Sequence, residues 1–457
     1  MVMVSKGHIH FVGIGGIGMS ALARLYRSRG FRISGSDLER SEITDALGKD
    51  GIRVFTGKHT RANIAHSATG VVYTAAVRRE NPEIREAKRR HIPVHTYAQA
   101  LGELTRAYRT IAVAGAHGKS TTTALIALTL IRGGLDPTVI VGTKLREFRD
   151  SNFRRSRPPH PAGPPHSKPW LVIEADEYRG SFWNHSPEIA VVTNIDREHL
   201  DFYKNIKNIE AAFLKFLLRL APKGVAVLNR DDRRLRRAAT RLRRPRPDIR
   251  IVWFSLRDAE AGRIAPRLRV PGRHNVSNAL AAYRVGRALN IPSSKIMNAL
   301  SRYRGAWRRF DYQGTLAGAK VYADYAHHPT EIKATLQAAR EHFPKRRIIC
   351  VFQPHHYERM RDLWREFMGA FDDCDGLILL DIYEVAGREH KRRSGAVSSA
   401  RLAEAISRRG TPALYIPDSR RLNPFFRENL RRGDVLLMMG AGDIWETTKR
   451  LMAHHTN

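Results

Sequence analysis

The segment RTIAVAGAHGKSTTT, residues 109–123, decides how the rest of the chain is interpreted. A short apolar run and a glycine come first, and Gly118, Lys119 and Ser120 then precede threonines that open a helix. Glycines let the backbone approach an anion, and the free N–H groups of a helix N-terminus point at it. The spacing GxxGKS is shorter than the usual Walker motif, which has a further glycine where this chain has Val113. The order strand, glycines, Lys-Ser and helix predicts a phosphate-binding loop, not an ordinary strand-to-helix turn, with Lys119 on the outer phosphates and Ser120 on Mg²⁺.

Length and composition indicate a globular chain of several domains. Its 457 residues are enough for about three domains, and a hydrophobic content of 42% is typical of folded cores. No apolar run approaches the about 18 residues of a membrane span, and the first residues do not resemble a secretory leader. The cysteines, Cys350 and Cys374, have no metal-binding or redox spacing. We therefore expect a cytoplasmic protein.

The chain is strongly basic. It has 79 Lys and Arg against 44 Asp and Glu, a formal net charge of +35. The densest stretch, residues 232–247, would place arginines all round a helix without aromatic residues between them. We interpret this as a solvated, arginine-rich surface of compositional origin; incidental binding of nucleic acid is the alternative.

A second glycine loop lies near the N-terminus. Residues 8–37 have the pattern strand, loop, helix, strand, and the loop at residues 13–18 reads GxGxxG. Asp37 follows at about the position that binds a ribose hydroxyl in such folds. This context predicts a dinucleotide or a UDP-like diphosphate at the helix N-terminus.

Polar clusters follow the predicted strands in the rest of the chain. Glu174, Asp176 and Glu177 follow one apolar strand, where a nucleotide site places a Mg²⁺ ligand, and His199 lies in the cluster after the next. Further clusters follow four strands beyond residue 319, and the adjacent arginines at 308–309 suggest a phosphate clamp. Open α/β sheets bind ligands at this edge. The His-His pairs have no spacing that would indicate a closed metal site.

Together these motifs resemble those of the Mur ligase family, over nearly the whole chain. They are GIGGIGMSALA and SGSD near the N-terminus, AVAGAHGKSTTTAL, IEADEYRGSF, VVTNIDREHLDFY and VPGRHNVSNALAA in the middle, and WRRF, DYAHHPTEI, FQPHHYERM and MGAGDI near the C-terminus. The resemblance implies an α/β protein of three domains. These are a Rossmann-like UDP-binding domain at residues 1–107, a P-loop ATPase domain with a mostly parallel sheet at 108–303, and a Rossmann-like closing domain at 304–457.

The resemblance also implies an activity. The matching branch of the family uses ATP and Mg²⁺ to join L-alanine to the carboxylate of UDP-N-acetylmuramate through an acyl phosphate, in peptidoglycan precursor synthesis. The implied partners are therefore the two small substrates, with no membrane span and with nucleic acid only incidental. A monomer or a homodimer is expected.

The family pattern assigns site residues by position. The loop residues expected to bind ATP are Gly115, Ala116, His117, Gly118, Lys119, Ser120 and Thr121. The other ATP-binding residues are His274, Asn275, Asn278, Arg309 and Asp324. The catalytic set is Lys119, Glu174, His199 and Arg309. The metal ligands are Ser120, Glu174 and His199. The UDP-binding residues are Gly13, Gly15, Gly16, Ile17, Gly18, Ser36 and Asp37. Candidates for the alanine carboxylate or the intermediate are Arg359, Tyr383 and Arg388.

Two positions and one segment depart from the family pattern. Ala116 replaces a threonine, Ala323 replaces an aspartate, and residues 253–270 lack a strand pair that relatives usually carry. None of these changes removes Lys119 or the candidate metal ligands. Two alternatives remain open: a related ligase that attaches a recycled tripeptide to the same nucleotide sugar, and a polyanion-binding protein on an inactive ligase scaffold.

Overall fold

The structure, a computed structural model, describes residues 7–157, 168–383 and 397–453. Strands and helices alternate along the chain, because runs of buried β-branched residues are followed by amphipathic segments. In the described ranges the strands form three separate sheets. Every helix in these ranges is too short or too polar to cross a bilayer.

The first sheet is parallel throughout and has the strand order β3-β2-β1-β4-β5. The order reverses between β1 and β4, and open sheets of this kind bind ligands beside such a point. Its strands are β1 (His8–Val12), β2 (Arg32–Asp37), β3 (Arg53–Thr56), β4 (Ala68–Tyr73) and β5 (Val94–Thr96). Its helices are α1 (Ile17–Ser28), α2 (Glu42–Lys49), α3 (Pro82–Arg89) and α4 (Tyr97–Ala107).

The second sheet carries the phosphate loop, and its order is β12-β11-β10-β6-β9-β7-β8. Only the β7–β8 pair is antiparallel. The strands are β6 (Arg109–Ala114), β7 (Thr138–Leu145), β8 (Ser151–Arg154), β9 (Trp170–Glu174), β10 (Ile189–Val192), β11 (Val225–Asn229) and β12 (Arg250–Phe254). The helices are α5 (Lys119–Gly133), α6 (Leu200–Tyr203), α7 (Ile206–Leu217), α8 (Arg233–Arg243), α9 (Ala259–Ile264), α10 (Arg273–Ala288) and α11 (Ser293–Arg302).

The third sheet has the order β13-β14-β18-β15-β16-β17, with one antiparallel pair, β13–β14. The strands are β13 (Asp311–Leu316), β14 (Ala319–Asp324), β15 (Ile348–Phe352), β16 (Gly376–Leu379), β17 (Ala413–Tyr415) and β18 (Val435–Met439). The helices are α12 (Pro329–His342), α13 (Tyr357–Asp362), α14 (Trp364–Met368), α15 (Ser399–Ser407), α16 (Leu422–Asn429) and α17 (Ile444–Ala453).

Internal contacts divide the chain into two compact units. The first unit comprises residues 1–267 and 277–302, with the first and second sheets, and the second comprises residues 268–276 and 303–457, with the third sheet. The α/β class and the largely parallel sheets are as predicted. The boundaries proposed at residues 107 and 303 stay predictions.

Two expectations about local structure were wrong. Residues 150–168 are rich in Arg, Pro and Ser, a composition that predicts an exposed loop, but residues 151–154 form the edge strand β8, which pairs with β7. Residues 158–167 lie outside the described ranges. The arginines of α8 do not surround the helix. Its buried face consists of Leu235, Ala238, Ala239 and Leu242, an i, i+3, i+4, i+7 pattern that leaves the arginines to the opposite side.

Candidate active site

The phosphate loop leaves β6 and is held by the end of β10. The amide of His117 donates to Asn194 Oδ1 at 2.9 Å, and the Asn194 side chain donates back to the His117 carbonyl at 2.9 Å. The His117 ring bonds Asp196 Oδ2 at 3.0 Å. Gly115 has a φ of +138°, and a Cβ there would lie 2.0 Å from Thr193 Oγ1, so only glycine fits. The loop is therefore held in place by contacts within the protein.

Lys119 begins α5 and lies over this loop. Its ammonium nitrogen is 3.0 Å from each carboxylate oxygen of Glu177 and also donates to the carbonyls of Gly115 and Ala116. The Glu177 side chain is only 2% exposed. Glu177 also lies 3.5 Å from His199 Nε2, so one buried carboxylate contacts two of the predicted catalytic residues.

The carboxylates after β9 are divided between two environments. Asp176, Glu177 and His199 have potential ligand atoms within 4.8 Å of one another. Glu174 is not part of this group of three. Its carboxylate accepts a 2.5 Å hydrogen bond from the amide of Gly142 on β7. The sequence prediction named Glu174 and His199 but missed Asp176 and Glu177 as members of the cluster. Ser120 is buried in the first turn of α5, and its role as a metal ligand stays a prediction.

The charges of this cluster depend on one another. Burial alone would lower the pKa of Lys119, but the charges of Glu177, Asp176 and Glu174 raise it above its ordinary value. Burial would raise the pKa of Glu177, yet Lys119 and His199 lower it. Burial and then the charge of Glu177 raise the pKa of Asp176. The Lys119–Glu177 pair therefore stays ionised in a site from which water is partly excluded.

The first turn of α5 is packed against α10. Gly118, the residue before α5, has a φ of +82°, and a Cβ there would lie 2.4 Å from Asn278 Oδ1. The same amide oxygen accepts from the Thr122 hydroxyl at 3.2 Å. Asn278 therefore lies beside the loop, and its contact with ATP stays a prediction; Thr121 in the same turn is buried.

We expect Gly118→Ala to weaken ATP binding at least tenfold and to destabilise the protein by more than the about 1–2 kcal/mol of a left-handed alanine, because it also displaces Asn278. Gly134→Ala is the matched control. Gly134 ends the same helix with a φ of +87°, but nothing lies within 4 Å of a Cβ placed there. Urea unfolding and ATP titration of both variants separate the backbone cost from the clash. Equal effects of the two changes would contradict the role given to Asn278.

The glycine loop after β1 is held by β2. The amides of Gly13 and Ile14 donate to the Ser36 carbonyl, at 2.8 and 3.0 Å, and the amide of Gly15 donates to Asp37 Oδ2 at 2.8 Å. One carboxylate oxygen of Asp37 therefore fixes the loop itself. The Ser36 hydroxyl is buried and donates to Glu83. The assignment of these two residues to UDP stays a prediction, since the hydroxyl and the carbonyl of Ser36 are both hydrogen-bonded within the protein.

The β7–β8 hairpin of the second sheet contacts α1, which follows the glycine loop. The Asn152 amide donates to the Ile17 carbonyl and, at 2.9 Å, to the Ser20 hydroxyl, and it accepts from Arg24 at 2.8 Å. Gly142 on the same hairpin bonds Glu174, as described above. Within the first unit, the hairpin thus links the start of α1 with the carboxylates after β9.

The second unit holds the remaining ATP-site candidates. Asp324 ends β14 and accepts from the amides of Phe310 and Ala326 at 2.7 and 2.8 Å. Arg309 lies 3.6 Å from Glu331 and is partly exposed. His274 is exposed at the start of α10, and its role at the ATP site stays a prediction. Asn275, on the same helix as His274, donates to the Pro271 carbonyl at 2.6 Å.

The expected clamp of two adjacent arginines was wrong for Arg308. Its side chain is buried, donates to the Gly440 carbonyl at 2.7 Å and lies against Trp307 and Tyr325. It therefore supports the fold, and only Arg309 stays a candidate for contact with phosphate.

The candidates for the amino acid are partly described. Arg359 donates to the His355 carbonyl at 3.1 Å, and the ring of Tyr383 stacks on the ring of His355 at 5.6 Å. His355, which follows β15, thus contacts both Arg359 and Tyr383. Arg388 lies outside the described residues.

Comparison with known families covers most of the chain. Residues 8–109 match the model "Mur ligase family, catalytic domain", residues 113–286 match "Mur ligase middle domain", and residues 308–442 match "Mur ligase, glutamate ligase domain". The three matches follow the three sheets in order.

Individual relatives match over nearly their full length. The chain is 38% identical to a UDP-N-acetylmuramate–L-alanine ligase of Clostridium kluyveri over 97% of both chains, and 42% identical to one of Desulfosudis oleivorans over 96% of both. The solved UDP-N-acetylmuramate–alanine ligase of Thermotoga maritima superposes with a TM-score of 0.79 at 27% identity, over 98% of this chain and 99% of that one. A murein peptide ligase of Psychrobacter arcticus superposes with a TM-score of 0.70 at 22% identity, over 98% of each, and shares the fold. The chain therefore belongs to the Mur ligase family.

Proposed function

We propose that this protein joins L-alanine to the carboxylate of UDP-N-acetylmuramate with hydrolysis of ATP to ADP and phosphate, the first peptide step of peptidoglycan precursor synthesis. The observation that carries the proposal is the preformed phosphate loop, with Lys119 paired to a buried carboxylate at its centre. Relatives with this activity in their names match the chain over nearly its whole length. ATP and nucleotide sugars are cytoplasmic substrates, so we also place the reaction in the cytoplasm.

The chemistry explains why such a loop is needed. A carboxylate is a poor acyl donor, because oxide would have to leave. Transfer of the γ-phosphoryl group of ATP to the carboxylate gives an acyl phosphate; the alanine amine then attacks, and phosphate leaves. Bringing a carboxylate to ATP concentrates negative charge, so positioned cations and N–H groups supply most of the stabilisation. Lys119 and the amides at the start of α5 are placed to provide it in this chain.

The residues after β9 and β10 fit a magnesium ion. Asp176, Glu177 and His199 have their potential ligand atoms together, and Ser120 and Glu174 are further predicted ligands. Most of these donors are oxygens, which Mg²⁺ prefers. When bound there, Mg²⁺ would neutralise charge on the phosphate oxygens. Glu177 would then have to share its carboxylate between the ion and Lys119.

The proposed ligase and its nearest alternative, the ligase that attaches a recycled tripeptide, differ in the acceptor that they use. The murein peptide ligase of Psychrobacter arcticus shares the fold at 22% identity, whereas the relatives named for L-alanine reach 38–42%. These identities favour L-alanine over a tripeptide as the acceptor.

Phosphate release from Mg-ATP and UDP-N-acetylmuramate tests the proposal. L-Alanine, glycine, L-serine, L-glutamate and a stem tripeptide are added in turn. We expect release that requires the nucleotide sugar and is fastest with L-alanine. Release with the tripeptide alone would identify the recycling reaction, and no release from folded protein with any acceptor would contradict a ligase function.

A further inference from the structure

Tyr97 is the first residue of α4, a helix that belongs to the first sheet and reaches the acidic turn of the second. A capping box fixes its start, since Thr96 Oγ1 accepts from the Gln99 amide at 3.2 Å and Gln99 Oε1 accepts from the Thr96 amide at 2.8 Å. Further along, α4 packs on residues 178–184, and a Cβ on Gly102 would lie 2.5 Å from the Asn184 carbonyl oxygen. The helix is thus held at its start and in its middle, which fixes where Tyr97 lies.

The phenol of Tyr97 lies directly against the glycine loop. A Cβ on Gly18 would be 2.8 Å from Tyr97 Oη and 2.9 Å from its Cζ, so Gly18 leaves the space that the phenol occupies. The ring is only partly buried. Within the described parts of the chain, its hydroxyl has no hydrogen-bond partner. A tyrosine hydroxyl beside a binding loop, without a protein partner, is available to a ligand.

The helix that carries this phenol packs on residues 178–184, the turn that follows the carboxylates after β9. Burial first, and then the charges of Glu174 and Asp176, raise the pKa of Tyr97 above its ordinary value. The hydroxyl therefore keeps its proton at neutral pH and is a neutral donor. A neutral donor can bind an anion near these carboxylates. A negatively charged side chain in the same place would repel that anion.

We propose that the Tyr97 hydroxyl donates a hydrogen bond to the lactyl carboxylate of UDP-N-acetylmuramate, between the glycine loop and the phosphorylation site. The substrate's diphosphate belongs at the start of α1, and its carboxylate must reach Lys119. Tyr97 touches Gly18 of the glycine loop, and its helix packs on the turn that follows Glu177. Tyr97 thereby selects the acid-bearing sugar. This assignment depends on the proposed function, because the ligand is its substrate.

The test compares two nucleotide sugars that differ only in the lactyl group. Tyr97→Phe removes the hydroxyl and keeps the ring against Gly18. We expect its dissociation constant for UDP-N-acetylmuramate, measured by calorimetry, to rise about tenfold or more, which is typical for a lost hydrogen bond to a charged oxygen. The constants for UDP-N-acetylglucosamine and for UDP should stay within about twofold of the wild-type values. In turnover, KM for the acid-bearing sugar should rise while KM for ATP is unchanged.

Tyr26→Phe is the matched control, because Tyr26 is a buried tyrosine of α1 that packs on Phe11 and Phe31, away from the loop. It should leave all three binding constants unchanged. Unchanged affinity of Tyr97→Phe for UDP-N-acetylmuramate would overturn the assignment, and so would equal weakening of all three ligands. Either result in an enzyme whose wild-type form ligates L-alanine leaves the proposed function intact. A wild-type protein that binds neither nucleotide sugar would instead contradict that function.

Discussion

Lys119→Ala is expected to lower the turnover of the ligase reaction about a thousandfold or more, because a positioned cation on the transferred phosphoryl group contributes on this scale. The ammonium lies over the carbonyls of Gly115 and Ala116, at the centre of the phosphate loop. Phosphate release under saturating substrates measures the effect.

The same change should destabilise the fold, and this effect needs its own control. Without Lys119, the carboxylate of Glu177 stays buried and loses its charged partner, which costs about 3–5 kcal/mol when a buried pair is broken. The double variant Lys119→Ala with Glu177→Gln removes the buried charge as well. We expect it to recover most of the stability in urea unfolding but none of the turnover.

The two measurements therefore separate chemistry from folding. A Lys119→Ala protein that keeps more than about a tenth of wild-type turnover would contradict the role of Lys119 in phosphoryl transfer. Recovery of turnover in the double variant would show that the loss came from the unpaired Glu177 alone.

The sequence predicts the fold well where the signal is local. Apolar runs next to glycines mark the strand before the phosphate loop and the helix after it. They also mark the strand before the glycine loop. The β7–β8 hairpin was missed, although Val139, Ile140 and Val141 are the β-branched run that marks β7. The arginines of α8 obscured its apolar face, since Leu235 and Leu242 are seven residues apart among basic residues.

The site is less predictable, because its contacts join distant segments. The sequence places Glu174, Asp176 and Glu177 together but does not say which of them turns towards Lys119. That choice depends on the amide of Gly142, which donates a hydrogen bond to Glu174. It also depends on a turn in which Arg179 and Gly180 both have positive φ. Neither feature can be inferred from the order of the acidic residues.

The position of Tyr97 illustrates the same limit. No motif marks it in the sequence, because its contact partner Gly18 is far away along the chain. Pairing of β4 with β5 and the capping box of α4 bring it to the glycine loop. A residue placed by topology is visible only once the sheets are assembled.

Glu83→Ala is expected to lower the free energy of unfolding by about 3–5 kcal/mol, as for loss of one member of a buried charged network. Glu83 is fully buried at the start of α3, and its carboxylate accepts hydrogen bonds from four side chains. These are His10 at 3.2 Å, Ser36 at 2.6 Å, His59 at 3.1 Å and Asn63 at 2.6 Å. They come from β1, β2 and the turn after β3, so one carboxylate holds together the strands that carry the glycine loop.

The pH dependence identifies the cause of that loss. Burial would raise the pKa of Glu83, but its four hydrogen bonds lower it well below the ordinary 4.5, so its contribution is present above that pH and is lost as the pH falls. The hydrogen bond to Glu83 raises the pKa of His59 above 6.5 despite burial, so that contribution is present below 6.5 and is lost as the pH rises through the raised value. The difference between wild type and Glu83→Ala should therefore be largest between about pH 5 and 6.5 in urea unfolding. Asp45→Ala, which removes an exposed ion pair with Arg40 beside the same sheet, should cost much less and is the control. A difference that does not change with pH would mean that Glu83 stabilises the sheet by packing and not by its charge.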